Sequence, residues 1–156
     1  MRLICHDIGL QIDMEDNLPE VLYKKAIKHY PNEYGGLLIG RYSDNDRIVM
    51  VDSYILPSKY KSSKVTFDRG TAGLREKLTK FYNATPGLIY IGEWHTHPDN
   101  PAIPSSTDLK AMRKIASHNE VYINNPLLLI LSVNKKSFDF IFYVYFNDKM
   151  YSYEKI

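Results

Sequence analysis

The sequence predicts a mixed α/β (α+β) fold in which helices pack on a sheet, and three observations lead to this prediction. A chain of 156 residues that is 44% hydrophobic has the size and apolar content of one domain with a buried core. Short apolar runs of strand length recur along the chain, and segments with helical spacing lie between them. Their order is strand, helix, hairpin, helix, strand, helix and closing hairpin, which indicates a single domain over residues 1–156.

The first third of the chain contains a strand region, a helix and a hairpin. Residues 2–14 carry short apolar runs that Gly9 divides, so they predict two strand pieces or one bent strand. Apolar side chains at helical spacing predict a helix over residues 18–29, which Pro31 ends. The runs GGLLIGRY and RIVMVDSYIL flank the turn-rich segment SDND, and together they predict an antiparallel hairpin.

The middle of the chain continues with a loop, a helix and a central strand. Residues 57–63 lack periodicity and predict a surface loop, whose contact with a partner or role as a gate stays open, and a short strand is expected at Val65–Phe67. Residues 70–83 place their apolar side chains on one face and predict an amphipathic helix. LIYIGEWH is rich in β-branched and aromatic residues, so it predicts a central strand that enters a polar loop at residues 98–104.

The last third begins with a helix and ends in strands. A third helix of about three turns is expected to open at Ser105–Asp108, because apolar residues at helical spacing follow. LLLILSV and FDFIFYVYF are separated by NKKS and predict a closing hairpin, and YSYEK is expected to add an edge strand.

Charge and composition exclude several classes of partner. Lys and Arg total 20 against 18 for Asp and Glu, so the net charge of +2 predicts no broad affinity for nucleic acid or membrane. The single cysteine, Cys5, excludes an intramolecular disulfide and fits a reducing compartment. The first 17 residues lack the sustained apolar segment of an export signal, and PLLLILSV, the longest apolar run, has only strand length. We therefore expect a soluble, cytoplasmic protein.

A candidate metal site lies at the end of the predicted central strand. His95 and His97 are two residues apart, so in an extended strand both imidazoles point to one face with Cα atoms about 6.5 Å apart. Catalytic zinc takes three protein ligands and keeps one open position, and Asp108 is the natural third ligand because the loop can fold the next helix back. Two alternatives stay open: a hydrogen-bonded histidine pair, and an S-x-x-D capping box formed by Ser105 and Asp108.

The string HTHPDNPAIPSSTD contains H-x-H, then seven residues, then S-x-x-D. It resembles the JAMM motif of the JAB/MPN family of metallopeptidases, and Pro98 matches as well. The segment PNEYGGLLIG resembles the family's upstream P-x-E-x-x-G pattern and supplies Glu33.

The resemblance implies a role for each matching residue. His95, His97 and Asp108 would hold one Zn²⁺ per chain. Glu33 would accept a proton from the attacking water and pass it to the leaving amine, as general acid-base catalysis requires, and Ser105 would steady the oxyanion. The alternative for Glu33 is a surface carboxylate at a helix end, and we favour the catalytic role.

Glu93 and Trp94 stand beside the motif without belonging to it. Glu93 shares the strand face of the two histidines, so it is either a supporting partner of a ligand or a rival base, and we favour the supporting role. Many family members carry an apolar or aromatic residue at this position. Trp94 should face the opposite side of the sheet and pack in the core. His6, His29 and His118 fit no ligand spacing.

The resemblance covers most of the chain and implies a fold and an activity. The fold is a curved mixed β-sheet flanked by helices, similar to the cytidine deaminase architecture. Active members cleave peptide or isopeptide bonds after the C-terminal glycine of ubiquitin or a ubiquitin-like protein. This chain looks like the stand-alone prokaryotic proteases of operons for ubiquitin-like conjugation, including anti-phage systems. A ubiquitin-like protein, its precursor or its conjugate is the implied substrate, and operon-encoded conjugation enzymes are implied partners.

Three other functions remain as alternatives. An inactive MPN scaffold usually lacks ligands, whereas all the motif positions are present here. A DNA-repair-associated JAB protein typically carries HNHPSG, whereas this chain has HTHPDN. Trimming of a ubiquitin-like sulfur-carrier protein differs from deconjugation only in substrate. The short segment between the third helix and PLLLILSV argues against selectivity for a polyubiquitin linkage.

Overall fold

A curved nine-stranded mixed sheet forms the frame of the molecule in the computed structural model, which describes residues 1–43, 45–118, 123 and 125–156. The strands are β1 (Arg2–Cys5), β2 (Leu10–Met14), β3 (Gly35–Tyr42), β4 (Ile48–Ile55), β5 (Lys61–Ser62), β6 (Phe67–Asp68), β7 (Ile89–Pro98), β8 (Leu127–Val133), β9 (Phe138–Phe146), β10 (Lys149–Ser152) and β11 (Glu154–Lys155). The helices are α1 (Leu18–Ala26), which continues as a 3-10 turn at Ile27–His29, α2 (Leu74–Tyr82) and α3 (Ser106–Ala116).

The two edges of the sheet are joined by the C-terminal strands. The strand order is β10-β9-β8-β7-β3-β4-β2-β1-β11, with β5 and β6 forming a separate small hairpin. The pairs β2–β4 and β7–β8 are parallel, and the other pairs are antiparallel. Only Tyr153 separates β10 from β11, although these strands lie at opposite ends of the order. The sheet is therefore nearly closed, and the predicted curved mixed sheet with flanking helices is confirmed.

Most predicted elements are confirmed. Gly9, with φ of +67°, divides β1 from β2, and the first helix ends before Pro31 as its pattern predicts. β3 and β4 pair as the predicted antiparallel hairpin, β8 and β9 form the closing hairpin, and the last predicted strand appears as β10 and β11.

Two elements differ from the prediction. The strand expected at Val65–Phe67 is displaced to β6, and its partner β5 lies in the segment predicted as loop. The second helix begins at Leu74 and not at residue 70. Gly70 and Gly73 have φ of +62° and +72°, a left-handed conformation that cannot continue a right-handed helix. The apolar spacing over 70–83 therefore predicts the helical face correctly but misses this local turn.

The helices cover the sheet on two faces. Leu22 of α1 packs in the main core, which also contains Trp94 and Leu129. α2 and α3 lie on the opposite face, where Leu78 packs near Leu37 and Met112 packs with Leu128 and Ile130, among others. Trp94 is 1% exposed, so its predicted place in the core is confirmed. The alternation along β7 consequently puts His95 and His97 on the face covered by α2 and α3.

No helix among the described residues has both the length and the apolar character needed to cross a bilayer.

Candidate metal centre

The end of β7 is held close to β3 by backbone and side-chain hydrogen bonds. Thr96, which is 1% exposed, donates its N–H to the Tyr34 carbonyl at 2.8 Å and accepts the Tyr34 N–H with Oγ1 at 3.0 Å. Gly35 pairs with His95, and a Cβ at Gly35 would lie 2.1 Å from the Trp94 carbonyl oxygen. Only glycine permits this close approach. The strand pair therefore fixes the backbone from which His95 projects.

The side chains of His95, His97 and Asp108 converge. The two Nε2 atoms lie 3.1 Å apart, His95 Nε2 lies 3.2 Å from Asp108 Oδ1, and His97 Nε2 lies 3.4 Å from Asp108 Oδ2. In a tetrahedral zinc site with bonds of about 2.0–2.1 Å, neighbouring ligand atoms are about 3.3–3.4 Å apart. The three side chains are only 12–14% exposed. This donor set fits a metal ion without rearrangement of the backbone.

In the group His95, His97 and Asp108, one ligand atom from each side chain lies within 4.8 Å of the other two. The described part of the chain contains no other group of three or more His, Cys, Asp or Glu side chains that meets this distance. His6, His29 and His118 lie outside this group, as their spacing predicts. The two histidines and the acid selected from the sequence are thus brought together by the fold.

The ring orientation of His97 also suits a metal ligand. Its Nδ1 lies 3.0 Å from the carbonyl oxygen of Pro101. A carbonyl only accepts hydrogen bonds, so Nδ1 carries the proton. In the neutral ring, Nε2 then presents a lone pair towards His95 and Asp108, and a cation is the natural partner of such converging lone pairs.

Asp108 stands in the first turn of α3 and takes part in a capping box. The Ser105 N–H donates to Asp108 Oδ2 at 2.8 Å, and the Asp108 N–H donates to Ser105 Oγ at 3.1 Å. The capping alternative is therefore present in the structure, and it is compatible with a ligand role. The capping bond orients the carboxylate while both of its oxygens still face the histidines.

The electrostatics of the three side chains favour a charged acid. Burial by itself raises the pKa of Asp108, but the neighbouring His95 and His97 rings outweigh burial and hold this pKa well below its ordinary value. Burial by itself lowers the pKa of His97, and the bonds to Asp108 and Pro101 reverse the effect, so the pKa is raised. Asp108 is thus a carboxylate, the form that binds metals.

Glu33 lies just before β3, within electrostatic reach of all three candidate ligands. Burial raises the pKa of its carboxyl group, the two histidines lower it and Asp108 raises it, so the net shift is upward. Its side chain is half-buried and not a free surface carboxylate. The Glu33 N–H donates to the Ser63 carbonyl at 2.8 Å, and Ser62 Oγ donates to the Glu33 carbonyl at 2.5 Å. The β5–β6 hairpin, which includes part of the predicted 57–63 loop, therefore holds the Glu33 backbone in place.

Ser105 is exposed at the N-terminus of α3, beside Asp108. Its Oγ accepts the capping bond with one lone pair, which leaves the hydroxyl hydrogen able to donate. Capping and stabilisation of a substrate oxyanion therefore use different parts of the same hydroxyl group.

Both carboxylate oxygens of Glu93 are already engaged. Arg69 donates from Nε to Oε2 at 2.8 Å and from Nη2 to Oε1 at 2.9 Å, and the Tyr90 hydroxyl donates to Oε1 at 3.0 Å. Such a fork binds a carboxylate strongly and with a fixed geometry. Glu93 therefore anchors Arg69 and is not a free base. Sequence analysis missed Arg69, which is 24 residues away and carries no motif.

A groove of about 570 Å³ lies beside the candidate metal ligands. Its size is within the range of pockets that enclose a small molecule or a short peptide segment. One side is formed by the segment from Phe67 to Thr71 and the other by α3, and the groove is lined by Phe67, Asp68, Arg69, Gly70, Thr71, Glu93, Trp94, His95, Thr107, Asp108, Ala111, Met112, Lys114, Ile115, His118 and Leu128. The Arg69–Glu93 pair thus ties one wall of the groove to β7.

The sequence profile of a family described as prokaryotic homologs of the JAB domain matches residues 15–144. The chain belongs to this family. The matched range contains every residue of the candidate site, from Glu33 to Asp108, and most of the sheet. The resemblance inferred from the sequence motifs is therefore confirmed.

Relatives of this chain include proteins named as isopeptidases and a probable metalloprotease. A CD-NTase/cGAS isopeptidase of Enterobacter hormaechei is 35% identical over 113 residues, which are 72% of this chain and 62% of the relative. The probable metalloprotease y4qB of Sinorhizobium fredii is 25% identical over 118 residues, 74% of this chain and 72% of the relative. A CD-NTase/cGAS isopeptidase of Vibrio cholerae is 25% identical over 130 residues, 83% and 79% of the two chains.

Solved structures share the prokaryotic JAB fold seen here. A protein from Desulfitobacterium hafniense has a TM-score of 0.64 at 23% identity and covers 90% of this chain and 88% of its own. A protein from Salinibacter ruber has a TM-score of 0.60 at 20% identity, with coverage of 92% and 89%. At these identities the likeness concerns the fold alone. The chain spans about three fifths of the length of the Enterobacter relative, so activity is argued below from the site.

Proposed function

We propose that this chain is a zinc-dependent isopeptidase or peptidase, with one catalytic domain over residues 1–156 and one zinc ion held by His95, His97 and Asp108. One observation carries the proposal. The two histidine Nε2 atoms lie 3.1 Å apart, and each lies 3.2–3.4 Å from one of the two carboxylate oxygens of Asp108, close to the ligand spacing of a tetrahedral zinc site. Glu33, whose pKa is raised by burial, lies within electrostatic reach of these groups.

Zinc is the metal that this donor set suits best. Two imidazoles and a carboxylate with an open fourth position are the ligands of many hydrolytic zinc sites. When bound, the ion brings the pKa of water towards 7 and polarises the scissile carbonyl group.

The remaining steps fall to residues of the chain itself. Glu33 accepts a proton from the attacking water and returns it to the leaving nitrogen. Its raised pKa makes the carboxylate a stronger proton acceptor, and a pKa nearer the working pH lets both its ionised and its protonated form take part in the exchange. Ser105 donates its hydroxyl hydrogen to the carbonyl oxygen as negative charge develops there. Two observations support these roles: Glu33 is half-buried, and Ser105 Oγ accepts a hydrogen bond from the N–H of the proposed ligand Asp108.

The proposed substrate is a protein conjugate. An isopeptide bond joins a carboxyl group of one protein to a side-chain amine of another, and two relatives are named as isopeptidases of CD-NTase/cGAS. The motif resemblance implies a ubiquitin-like protein with a C-terminal glycine as the attached group. We propose removal of such an attached protein, or maturation of its precursor, in the cytoplasm alongside operon-encoded conjugation enzymes of an antiviral system.

The test is cleavage of purified conjugates by the zinc-loaded protein. In the first conjugate, a CD-NTase is the protein attached to a target side chain. In the second conjugate, the attached protein is a ubiquitin-like protein. Mass spectrometry of the products identifies the bond that is broken. We expect release of the attached protein in at least one of the two reactions, and no release by the Glu33→Gln variant. Intact conjugates in both reactions, with zinc shown to be bound, would favour a scaffold that assembles without hydrolysis.

A further inference from the structure

Three consecutive backbone carbonyl groups in the loop after β7 each accept a hydrogen bond from a side chain. Ser132 Oγ donates to the Asn100 carbonyl at 2.6 Å, and Tyr143 OH donates to the Ala102 carbonyl at 2.6 Å. The carbonyl between them belongs to Pro101 and accepts the bond from His97 Nδ1 at 3.0 Å. The donors come from the adjacent strands β8, β9 and β7.

We propose that Ser132 and Tyr143 are positioning residues that hold the Pro101 carbonyl where it orients the metal ligand His97. This inference rests on the proposed metal site. Neither residue is one of the three candidate ligands, so both act through the loop and through the His97 ring. A metal-bound histidine depends on the acceptor of its second ring nitrogen for tautomer and orientation. Displacement of the Pro101 carbonyl would therefore free the His97 ring to turn or to change tautomer.

The composition of the loop makes these side-chain bonds important. Pro98, Pro101 and Pro104 have no backbone N–H, so the loop has fewer donors with which to hold itself on the sheet. Its backbone bonds include Asp99 N–H to the Val133 carbonyl at 2.8 Å and Ile103 N–H to the Pro101 carbonyl at 2.8 Å. The side chains of β8 and β9 supply further donors at positions where the loop itself has none.

The bond from Tyr143 is the better shielded of the two. Tyr143 is 8% exposed and Ala102 is 5% exposed, so water has little access to replace the lost partner. Ser132 pairs directly with His97 in the parallel β7–β8 register, which places its hydroxyl group beside the loop where the chain leaves β7. Loss of either donor should loosen the loop next to His97.

The experiment measures the zinc affinity of the full chain by competition with a chromophoric chelator of known affinity. The variants are Tyr143→Phe and Ser132→Ala. The matched control is Tyr145→Phe, since Tyr145 lies on the same strand and in the same core cluster, is also 8% exposed, and donates to Asp148 and not to the loop. The melting temperature of each zinc-stripped protein records the purely structural cost.

We expect Tyr143→Phe to raise the zinc dissociation constant by roughly 3- to 10-fold, less than the roughly 10- to 100-fold typical of groups that bond a ligand directly. Ser132→Ala should act in the same direction, and Tyr145→Phe should stay within about twofold of wild type. Wild-type affinity in both loop variants would overturn the proposal. An equal loss in Tyr145→Phe would also overturn it, because a general packing defect would then explain the result.

A second measurement separates this proposal from the proposed function. Nitrogen-15 NMR of the zinc-stripped protein, at a pH where His97 is neutral, reports which ring nitrogen carries the proton. Wild type should show the proton on Nδ1, and Tyr143→Phe should shift the population towards Nε2. A wild-type chain that binds no zinc would refute the metal site while this tautomer shift still tests the positioning role. An unchanged tautomer in Tyr143→Phe would refute the positioning role alone, whether or not the wild-type chain binds zinc.

Discussion

The two glutamates near the metal ligands have carboxyl groups in different surroundings. Glu33 is half-buried, and its raised pKa results chiefly from burial. The carboxylate of Glu93 is held by the Arg69 fork and the Tyr90 hydroxyl. A base needs an oxygen that is free to take up a proton, and both oxygens of Glu93 already accept hydrogen bonds. We therefore assign the proton transfer to Glu33 and the anchoring of the groove wall to Glu93.

Substitution of each glutamate by glutamine tests this assignment. Glu33→Gln should keep its zinc and lose activity by about 10²- to 10⁴-fold, the contribution of a positioned general base. Glu93→Gln keeps the shape of the side chain and weakens only the ion pair, so we expect a rise in KM with kcat largely retained. Zinc content and conjugate cleavage are measured on both proteins. Activity retained in Glu33→Gln and abolished in Glu93→Gln would move the base to Glu93.

The raised pKa of Glu33 also predicts a cost in stability. Because the folded chain holds this proton more tightly than the unfolded chain, Glu33 destabilises the fold as the pH rises above the ordinary glutamate pKa of about 4.3. The cost reaches its full value above the raised pKa and disappears in acid. In zinc-stripped protein, Glu33→Gln should therefore melt about 1–3 °C higher than wild type at pH 7, and the gain should vanish near pH 4.

The exposed Glu15 provides the control for this stability measurement. Glu15→Gln should leave the melting temperature within error of wild type at both pH values, since an exposed carboxyl group has no burial cost to relieve. A Glu33→Gln variant that is no more stable than wild type at pH 7 would show that ionisation of the Glu33 carboxyl group costs the folded state no stability.

At the scale of the elements, the junction of β3 and β7 builds the site. Gly35 lies opposite His95, and the Tyr34–Thr96 bonds hold the same two strands together one residue away. Glu33 precedes this junction, and the two candidate histidine ligands project from it. The proposed general base and the two candidate histidine ligands therefore share one backbone support, which suits a reaction that needs fixed distances.

Gly35→Ala should disturb this junction. The added carbon would meet the Trp94 carbonyl oxygen at 2.1 Å, which is a backbone atom that cannot turn aside. We expect the free energy of unfolding to fall by about 1–3 kcal/mol. The zinc affinity should also fall, because His95 must move with the strand. Urea unfolding and zinc titration measure the two effects.

Gly9→Ala is the control for this effect. Gly9 has φ of +67°, but a Cβ there would meet only Arg47 Nη1 at 3.5 Å, in the turn between β1 and β2. It should lower stability through backbone strain and leave zinc affinity unchanged. Zinc binding of Gly35→Ala equal to that of Gly9→Ala would argue against the strand junction as the support of the site.

At the scale of the whole molecule, the candidate ligands come from two different elements. His95 and His97 belong to β7 and Asp108 belongs to α3, with a proline-containing loop between them. A metal ion that binds all three would link the sheet to the helix. Binding to the folded state alone stabilises a protein in proportion to the logarithm of the free ligand concentration.

Zinc content and metal-linked stability therefore test the metal centre together. We expect about one zinc per purified chain, by the three-ligand stoichiometry of catalytic sites, and a melting temperature that rises with added zinc and falls with a chelator. His97→Ala should lose both the zinc and the shift. His6→Ala removes an exposed histidine outside the site and should retain both. Absence of zinc from wild type, even after incubation with the metal, would refute the peptidase proposal.

The sequence by itself determined the fold class and the candidate donor atoms. Apolar periodicity places the strands and helices because burial of one face depends on local spacing. The order H-x-H followed by S-x-x-D places two imidazoles on one strand face and a carboxylate in a helix's first turn, so the candidate ligands are readable from local geometry. The charge balance and the lack of a long apolar run likewise need only composition.

Only the tertiary structure decided how residues distant in the sequence reach the site. Glu33 lies near the candidate ligands because β3 pairs with β7. Arg69 forms its ion pair with Glu93 across 24 residues of sequence, and Tyr143 donates to the Ala102 carbonyl in the loop after β7 across 41 residues. These contacts depend on strand order and on how the loops close over the sheet. Local spacing carries no information about either, because the free energy that selects a strand's neighbours comes from burial summed over the whole core.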